Sequence, residues 1–395
     1  MKRFFSYTIL SFFLLLLPTG QASANNNDSI RLSLLTCAPG EEIYSLFGHT
    51  AIRYENSSQG IDVVFNYGLF SFNTPNFIFR FSLGETDYQL GATDYERFAA
   101  EYAFFGRSVW QQTLNLTDEE KTELIRLLQE NYRPENRVYR YNFFYDNCAT
   151  RPRDKIEESI AGKVIYPAEP QDGSLTFRDI VHQYCKGHPW ARFGIDLCIG
   201  SEADQPITQR QMMFAPFYLM DAFVGAQIKG YYNQRQLITA NELVVDATPE
   251  PDESGWMPTP LQCTLLLFIL TTAATIYGIR RRTGLWGIDL FLFGIAGIVG
   301  CVLAFLALFS QHPAVSSNFL LLVFHPGQLL FLPYIIYCVR KGKKCWYLTL
   351  NLAVLTLFIV LFPVIPQRFD FAVVPLALVL LIRSASNLIV TSKKK

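Results

Sequence analysis

The chain has 395 residues, and its 34 basic and 34 acidic side chains give a formal net charge of zero. Because there is no basic excess, we expect no nucleic-acid partner. Hydrophobic residues make up 50% of the sequence, and long apolar runs in the last third raise this value.

The amino terminus predicts a secretory signal peptide over residues 1–24. Lys2 and Arg3 give a positive start, residues 7–17 form an apolar core, and residues 22–24 are small, as at a cleavage site. The chain that follows is then exported to a compartment where disulfides can form. An uncleaved anchor helix is the alternative.

Residues 25–245 predict one exported α+β domain, followed by a proline-rich, acidic linker at 246–260. Thr117 and Glu120 fit the capping box at the start of a helix. In chain order, we expect an edge strand or helix start at 30–36, a hairpin of strands 49–54 and 61–67, helices at 94–104 and 117–132, a strand at 137–142 and a helix at 154–160.

His49 and Cys148 stand in segments that suit thiol chemistry. His49 opens the first hairpin strand, and Cys148 lies in a turn before a helix. A helix N-terminus and a nearby imidazole both favour a thiolate, and a Cys–His pair can catalyse acyl transfer. We therefore predict Cys148 as the nucleophile and His49 as the base. Pro152 disfavours helical geometry at Arg151, so the helix either starts at Pro152 or has a distorted first turn.

Each member of this pair has a structural alternative, namely a buried inert thiol and a core histidine with satisfied hydrogen bonds. Cys37 is a rival nucleophile. It precedes the turn at residues 38–40, where no helix dipole would activate it.

A third group is expected to orient the imidazole. In a simple hairpin, residue 49 lies opposite about residue 67, so Asn66 can hydrogen-bond the ring as in a Cys-His-Asn site. Arg53 shares a strand face with His49 and either binds a phosphate head group or forms a salt bridge. Similar candidates are Arg107, Arg151 and Arg153.

Cys185 and Cys198 are close in sequence, and we predict a mutual disulfide. The alternative is a zinc site that also includes His182 and His188. Their spacing matches no standard zinc motif, so no metal is expected.

The last third predicts a membrane domain of five helices over residues 261–392. Each of five apolar runs is near the roughly 20 residues that cross a bilayer. The runs are 261–279, 286–309, 319–338, 346–365 and 371–390. Basic clusters follow the first, third and fifth runs, which places these loops and the C-terminus in the cytoplasm. The preceding domain then lies outside, in agreement with a signal peptide.

Several segments resemble one bacterial family. They are residues 33–40, 47–53, 65–68, 141–154 and 193–198, with 312–313, 318 and 325–326 in the membrane part. The histidine strand precedes the cysteine helix, as in permuted members of the papain-like NlpC/P60 superfamily. More closely, the chain resembles the lipoprotein N-acyltransferases of the Lnb type, over nearly its whole length after the signal peptide.

This resemblance implies an NlpC/P60-like thiol-enzyme domain in the periplasm, carried by a multi-pass protein of the bacterial inner membrane. A fatty acyl chain would pass from a phospholipid donor, through a thioester on Cys148, to the N-terminal amine of a diacylglyceryl-cysteine lipoprotein. No cofactor is implied. Six further residues are expected to contact substrate: Arg53, Tyr67, Asn147, Arg151, His312 and Asn318. For His312 and Asn318 this contact would be with a lipid head group, and simple capping of the loop is the alternative.

Two other functions stay open. An exported cell-wall peptidase or amidase would use the same Cys–His pair without a lipid groove. A non-enzymatic membrane scaffold would keep both residues for structure alone. The dense aromatic residues between 65 and 145 are expected mostly in the core, with a minority lining an acyl groove or entering the lipid interface.

Overall fold

The computed structural model describes residues 29–71, 73, 75–230, 233–248 and 256–392. The predicted signal peptide at 1–24 lies outside these residues, as does the middle of the predicted linker at 246–260.

Among the described residues of the N-terminal domain, ten strands form two antiparallel sheets. They are β1 Ile30–Cys37, β2 His49–Asn56, β3 Ile61–Leu69, β4 Asp87–Asp94, β5 Val109–Leu114, β6 Val138–Arg140, β7 Lys163–Ile165, β8 Gln227–Lys229, β9 Gln234–Gln236 and β10 Ile238–Val245. The larger sheet has the order β10-β5-β1-β2-β3-β4-β6, and the smaller has β7-β8-β9. The predicted β2–β3 hairpin is confirmed, and the ambiguous segment at 30–36 is a strand.

Eight helices accompany these sheets among the described residues. They are α1 Phe77–Leu83, α2 Tyr95–Phe104, α3 Asp118–Tyr132, α4 Thr150–Ser159, α5 Phe177–Tyr184, α6 Pro189–Cys198, α7 Gln209–Met212 and α8 Pro216–Phe223. The structure confirms the predicted capping box, because Thr117 accepts from the Glu120 amide and Glu120 accepts from the Thr117 amide. The combination is a mixed α/β domain.

Helix α4 begins at Thr150, before the position that the sequence indicated. Pro152 is the third helical residue, where a missing amide costs no intrahelical hydrogen bond. The helix therefore starts upstream of the proline, and Cys148 lies just before the capping residue Ala149.

The large sheet separates two apolar layers. Ala51 and Val64 belong to the cluster under α2, whereas Ile52 belongs to the cluster under α3 and α4. Side chains alternate along a strand, so residues two positions apart lie on the same face. His49 therefore lies on the α2 side with Ala51, and Asn66 lies there with Val64. The two site residues therefore share one face of the sheet.

Between residues 256 and 392, the structure describes six α-helices. They are α9 Pro260–Arg281, α10 Trp286–Phe309, α11 Pro326–Leu330, α12 Leu332–Lys341, α13 Trp346–Leu361 and α14 Val373–Ser392. Three of the described helices, α9, α10 and α14, are long and apolar enough to cross a membrane. A fourth span is possible if α12 and α13, bent by 111°, count as one. The predicted number of five is therefore not confirmed.

The predicted third span at 319–338 is not one helix. A 3₁₀ turn at Phe319–Leu322 is followed by α11 and α12. Pro326 opens α11 and Pro333 lies in the first turn of α12. Proline lacks an amide donor and clashes with the preceding turn, so it breaks a continuous helix at both places.

A buried ion pair joins three of the long helices. The Arg383 guanidinium of α14 donates to both carboxylate oxygens of Asp289 in α10, at 2.7 and 3.0 Å, and to Thr275 of α9 at 2.9 Å. Both charged side chains are 2% exposed. Such a pair inside apolar helices is tolerated only when it is fully hydrogen-bonded.

The N-terminal domain is clamped to loops at one end of these helices. Asn318 Nδ2 donates to the Leu197 carbonyl at the end of α6 (2.8 Å), and Gln367 Nε2 donates to the Ile199 carbonyl (3.2 Å). The Gly200 amide donates to the Ala314 carbonyl at 2.7 Å. The contacts come from two separate loops of the helical part, so they restrain the orientation of the domain.

Charged groups reinforce this clamp. Arg368 reaches across from the helical part and pairs with Asp204 at 3.0 Å and Asp179 at 2.5 Å. Asp204 is itself held by Arg178, which is fully buried and also pairs with Asp196. Of the two carboxylates that meet Arg368, Asp204 is therefore held in place by a buried guanidinium.

We expect Asn318→Ala to loosen the clamp by about 1–3 kcal/mol, because it leaves buried backbone groups without partners. Hydrogen exchange in α6 and at residues 199–204 should rise, while expression and membrane insertion stay normal. The matched control is Asn233→Ala, which changes an exposed asparagine near β9. Equal exchange in the two variants would contradict a structural role for Asn318.

Candidate active site

His49 occupies the first position of β2, directly after a turn that requires glycine. Gly48 has φ +79°, and a β-carbon there would lie 2.5 Å from the Cys37 carbonyl oxygen. The turn therefore brings the backbone close to the end of β1, where Cys37 is the register partner of His49.

Asn66 is the expected orienting residue, and the structure places it next to the ring. The β2–β3 register pairs Ala51 with Asn66, and Asn66 Oδ1 lies 3.3 Å from His49 Nε2. With an amide oxygen as acceptor, Nε2 carries the proton and Nδ1 is left as the basic nitrogen. Asn66 is buried, so this orientation is well defined.

The Cys148 thiol lies at the start of the same strand. The backbone amides of Thr50, the residue after His49, and of Cys148 itself lie close enough to the thiol to favour its thiolate form. Both His49 and Cys148 are only partly buried, so a substrate can reach them. The fold thus brings together two residues that lie almost a hundred positions apart.

Burial governs the charge state of both groups. It lowers the pKa of His49 to about 4, with the Asn66 hydrogen bond opposing and Arg107 adding to the shift. It raises the pKa of Cys148 to about 11, although the two backbone amides stabilise the thiolate and lower this pKa. The expectation of a resting thiolate held by the helix dipole is therefore wrong, because desolvation outweighs the helix terminus. The resting pair is a neutral thiol beside a neutral imidazole.

This charge state predicts the pH dependence of turnover. A neutral imidazole acts as base above its own pKa, so activity should fall only near about pH 4 and stay level from about pH 5.5 to about pH 8.5. The measurement is kcat/KM against pH with a substrate that does not titrate in this range. An acid limb centred near pH 6.5, where an exposed histidine titrates, would contradict the neutral pair.

Cys37 does not compete as a nucleophile in this arrangement. Its side chain is fully buried, and burial raises its pKa to about 12, with a hydrogen bond to Tyr102 opposing the shift. Although it faces His49 across the β1–β2 pair, substrate cannot reach the sulfur.

Asn147 and Arg151 shape the turn that carries Cys148. Asn147 Oδ1 accepts from the Ala149 and Thr150 amides, and its Nδ2 donates to the carbonyls of Phe143 and Phe214. All four hydrogen bonds are internal and the residue is buried. The expected substrate contact of Asn147 is therefore corrected to a structural role.

Arg151 is engaged on two sides. It pairs with Asp146 at 2.6 Å, and its guanidinium lies 3.5 Å from the centre of the Tyr139 ring. These contacts fix the turn before α4 and leave little capacity for an anionic substrate.

Arg53 and Tyr67 are also structural. Arg53 forms a bidentate pair with Asp62 at 2.7 and 2.8 Å and donates to Gln111 at 2.7 Å, so of the two alternatives the salt bridge is the one observed. Tyr67 is fully buried on the opposite sheet face and donates to Asn131 at 2.8 Å. The substrate contacts expected for both residues are corrected.

His312 and Asn318 lie in the clamp. His312 Nε2 donates to the Phe81 carbonyl at 3.2 Å, which ties α1 to the loop after α10. Asn318 uses Nδ2 for the Leu197 carbonyl and Oδ1 for the Leu320 amide. Asn318 thus caps the turn that follows it and has both side-chain polar atoms engaged within the protein, whereas His312 uses one ring nitrogen to hold α1.

The predicted disulfide between Cys185 and Cys198 is not formed, and both are free thiols. His182 pairs with Asp196 at 2.8 Å and His188 lies 3.8 Å from Glu41, so the four residues of the zinc alternative do not converge. The described residues contain no group of three or more ligands that could hold a metal.

Gly68, Tyr139 and Arg107 also lie near the site. The sequence does not single out Gly68 or Tyr139 as site residues, and it indicates Arg107 only as an alternative to Arg53. A β-carbon on Gly68 would lie 3.6 Å from Cys148 Cβ and 3.9 Å from Tyr139 Oη. That buried hydroxyl has no hydrogen-bond partner among the described residues, and burial raises its pKa, so it keeps its proton. Arg107 donates to the Ala38 carbonyl at 2.8 Å, and no carboxylate in the described part of the chain pairs with it. No local sequence signal marks Tyr139, because its place beside Cys148 depends on the β4–β6 pairing.

Fold and site together define a membrane protein with a mixed α/β domain that holds a neutral Cys–His–Asn group and is clamped to apolar helices. Two family models match the sequence: the Lnb N-terminal periplasmic domain over residues 20–182 and the Lnb transmembrane domain over residues 252–395. The chain belongs to the Lnb family, with a periplasmic N-terminal domain and a C-terminal membrane domain. This membership points to a membrane enzyme that modifies lipoproteins. No curated protein and no solved structure matches the chain.

Proposed function

We propose that the protein is a lipoprotein N-acyltransferase that moves a fatty acyl chain from a phospholipid to the N-terminal amine of diacylglyceryl-cysteine lipoproteins. The observation that carries the proposal is the neutral Cys148–His49 pair on a domain clamped to the membrane part. Both substrates are anchored in a bilayer, so a site fixed at the membrane surface can meet both without releasing either.

In the first half-reaction, His49 Nδ1 takes the thiol proton as the Cys148 sulfur attacks the ester carbonyl. A carbon–sulfur bond forms and the ester carbon–oxygen bond breaks. His49 then returns the proton to the departing alkoxide, which leaves as a lysophospholipid. Proton transfer within the step avoids the cost of holding a buried thiolate at rest.

In the second half-reaction, the lipoprotein amine attacks the thioester. The nitrogen–carbon bond forms, the carbon–sulfur bond breaks, and His49 carries the amine proton back to the sulfur. The negative charge that develops on the carbonyl oxygen lies beside the Cys148 amide and the protonated Tyr139 hydroxyl. We assign these two donors to the oxyanion.

Arg107 is the residue we assign to the donor's phosphate. Its guanidinium stands by Ala38, next to the register partner of His49, and has no carboxylate partner in the described part of the chain. A planar guanidinium can bind a phosphodiester through two parallel hydrogen bonds. This role replaces the one expected for Arg53.

The proposal includes a permuted papain-like, NlpC/P60-like arrangement in which the histidine strand β2 precedes the cysteine helix α4. It also places the N-terminal domain in the periplasm and the C-terminus in the cytoplasm, by the distribution of Lys and Arg between loops. The signal peptide expected at residues 1–24 would direct this export.

Mass spectrometry of lipoprotein N-termini tests the proposal. Cells that contain the protein should carry N-acylated lipoproteins, and cells that lack it should carry free α-amines that are restored by the wild-type gene. Unchanged N-termini in the absence of the protein would reject the proposal. Altered cell-wall peptides with unchanged lipoproteins would instead identify a peptidase or amidase.

A further inference from the structure

Helix α1 is apolar but contributes nothing to the protein core. Five of its seven residues are hydrophobic, and none is buried. Ile78, Phe79 and Phe81 are 79%, 57% and 44% exposed. A short helix with this much exposed apolar surface is stable in water only if lipid or another apolar surface covers it.

The position of α1 identifies that surface as the membrane. The Gln311 amide, just after the long apolar helix α10, donates to the Leu83 carbonyl at 2.9 Å. The Phe79 ring lies 5.6 Å from Phe305 of α10, which in turn contacts Phe309 at 5.6 Å. Helix α1 therefore continues the lipid-facing surface of α10 onto the periplasmic domain.

A row of rings runs from α1 toward Cys148, and we call Tyr44, Phe70, Phe77 and Phe81 the aromatic strip. Phe81 lies 6.2 Å from Phe77, Phe77 stacks on Phe70 at 5.5 Å, and Phe70 meets Tyr44 at 5.9 Å. The members are only partly covered, and Tyr44 is 59% exposed. The strip is thus an accessible apolar surface of connected rings.

The Phe70 end of the strip lies on the chain segment that adjoins Cys148. Phe70 follows Gly68 by two residues, and Gly68 packs against the Cys148 side chain. Phe70 also contacts Tyr88 at 5.0 Å, and Tyr88 stacks on Tyr141 at 4.1 Å beside the turn that carries Cys148. The rings therefore extend from the helix beside the lipid-facing surface toward the turn that carries the nucleophile.

We propose that the aromatic strip holds the fatty acyl chain of the phospholipid donor, with its ester at Cys148 and its methyl end at Phe79 and Phe305. This inference rests on the proposed acyl transfer and specifies where the donor chain binds. Aromatic rings cover apolar chains over a large area with little loss of side-chain entropy. A chain that stays on an apolar surface avoids the free-energy cost of exposing its methylene groups to water.

The test uses the full-length Cys148→Ala protein, which cannot transfer the chain, in phosphatidylcholine vesicles that contain a photoreactive phosphatidylcholine. A diazirine near the ester should label Tyr44 and Phe70, and a diazirine at the chain end should label Phe79 and Phe305. In this background, Phe81→Asp should reduce labelling of Tyr44 and Phe70 several-fold, and Phe81→Leu should restore it. The matched control is Leu243→Asp, which places the same charge at an exposed position of β10 and should change nothing.

Labelling confined to α9, α10 and α14, or labelling of Tyr44 and Phe70 that does not depend on diazirine position, would overturn the assignment.

Kinetic measurements distinguish a loss of acyl-chain binding from a loss of the chemical step. With Cys148 intact, Phe81→Asp should lose activity on long-chain phospholipid yet react normally with a soluble acetyl ester. An equal loss on both esters would overturn the strip. If wild-type protein shows ordered labelling but never acylates lipoprotein, the proposed function fails and the chain-binding strip remains.

Discussion

Replacing Cys148 by alanine or serine should abolish acyl transfer while the protein still folds and inserts. The thiol is the group that forms the thioester, so its loss should reduce the rate by at least ~10³-fold. Serine keeps the shape but is a far weaker acid, and a neutral imidazole with a pKa of about 4 is too weak a base to activate it. The measurement is transfer of labelled acyl chains to a diacylated lipoprotein by purified protein in vesicles.

Cys37→Ala is the matched control, because Cys37 is also a free thiol and lies opposite His49. It removes a buried sulfur from the core beneath α2, so it should lower stability slightly and retain transfer. Normal turnover by Cys148→Ala, together with inactivity of Cys37→Ala, would reverse the assignment of the nucleophile.

His49→Ala should also inactivate the protein, and the double variant His49→Ala/Cys148→Ala should be no slower than either single one. Groups that act in one step lose their joint contribution once, so their effects are not additive. Asn66→Ala should cost less, because it frees the ring without removing it. The cycle requires transfer rates for all variants with folding checked by thermal unfolding. If the rate loss of the double variant equals the product of the two single losses, His49 and Cys148 act in different steps.

The elements around the site could largely be predicted from sequence, since they depend on local patterns. The polar segment between two apolar runs specifies the β2–β3 hairpin, and that hairpin brings Asn66 to His49. Thr117 and Glu120 mark the start of α3 in the same local way. The local settings of His49 and Cys148, a strand start and a turn before a helix, indicate the pair, and the family resemblance supports it.

The partners of polar side chains could not be predicted in this way. Arg53 is neutralised by Asp62 and donates a hydrogen bond to Gln111, and the Gln111 contact depends on β1 lying between β2 and β5. Asn318 donates to the Leu197 carbonyl at the end of α6. No residue near Asn318 in the sequence indicates this contact. The charge state of the Cys148 thiol cannot be predicted from sequence for a related reason, because the extent of burial is a property of the whole fold.

The mass of the peptide that contains Cys148, after incubation of the protein with phospholipid alone, shows directly whether a thioester forms there. We expect the addition of one fatty acyl group on Cys148, its removal by hydroxylamine, and one lysophospholipid released for each group added. The same peptide from His49→Ala protein should stay unmodified. An acyl group on a different residue, or an adduct that forms only when lipoprotein is present, would contradict a two-step mechanism through Cys148.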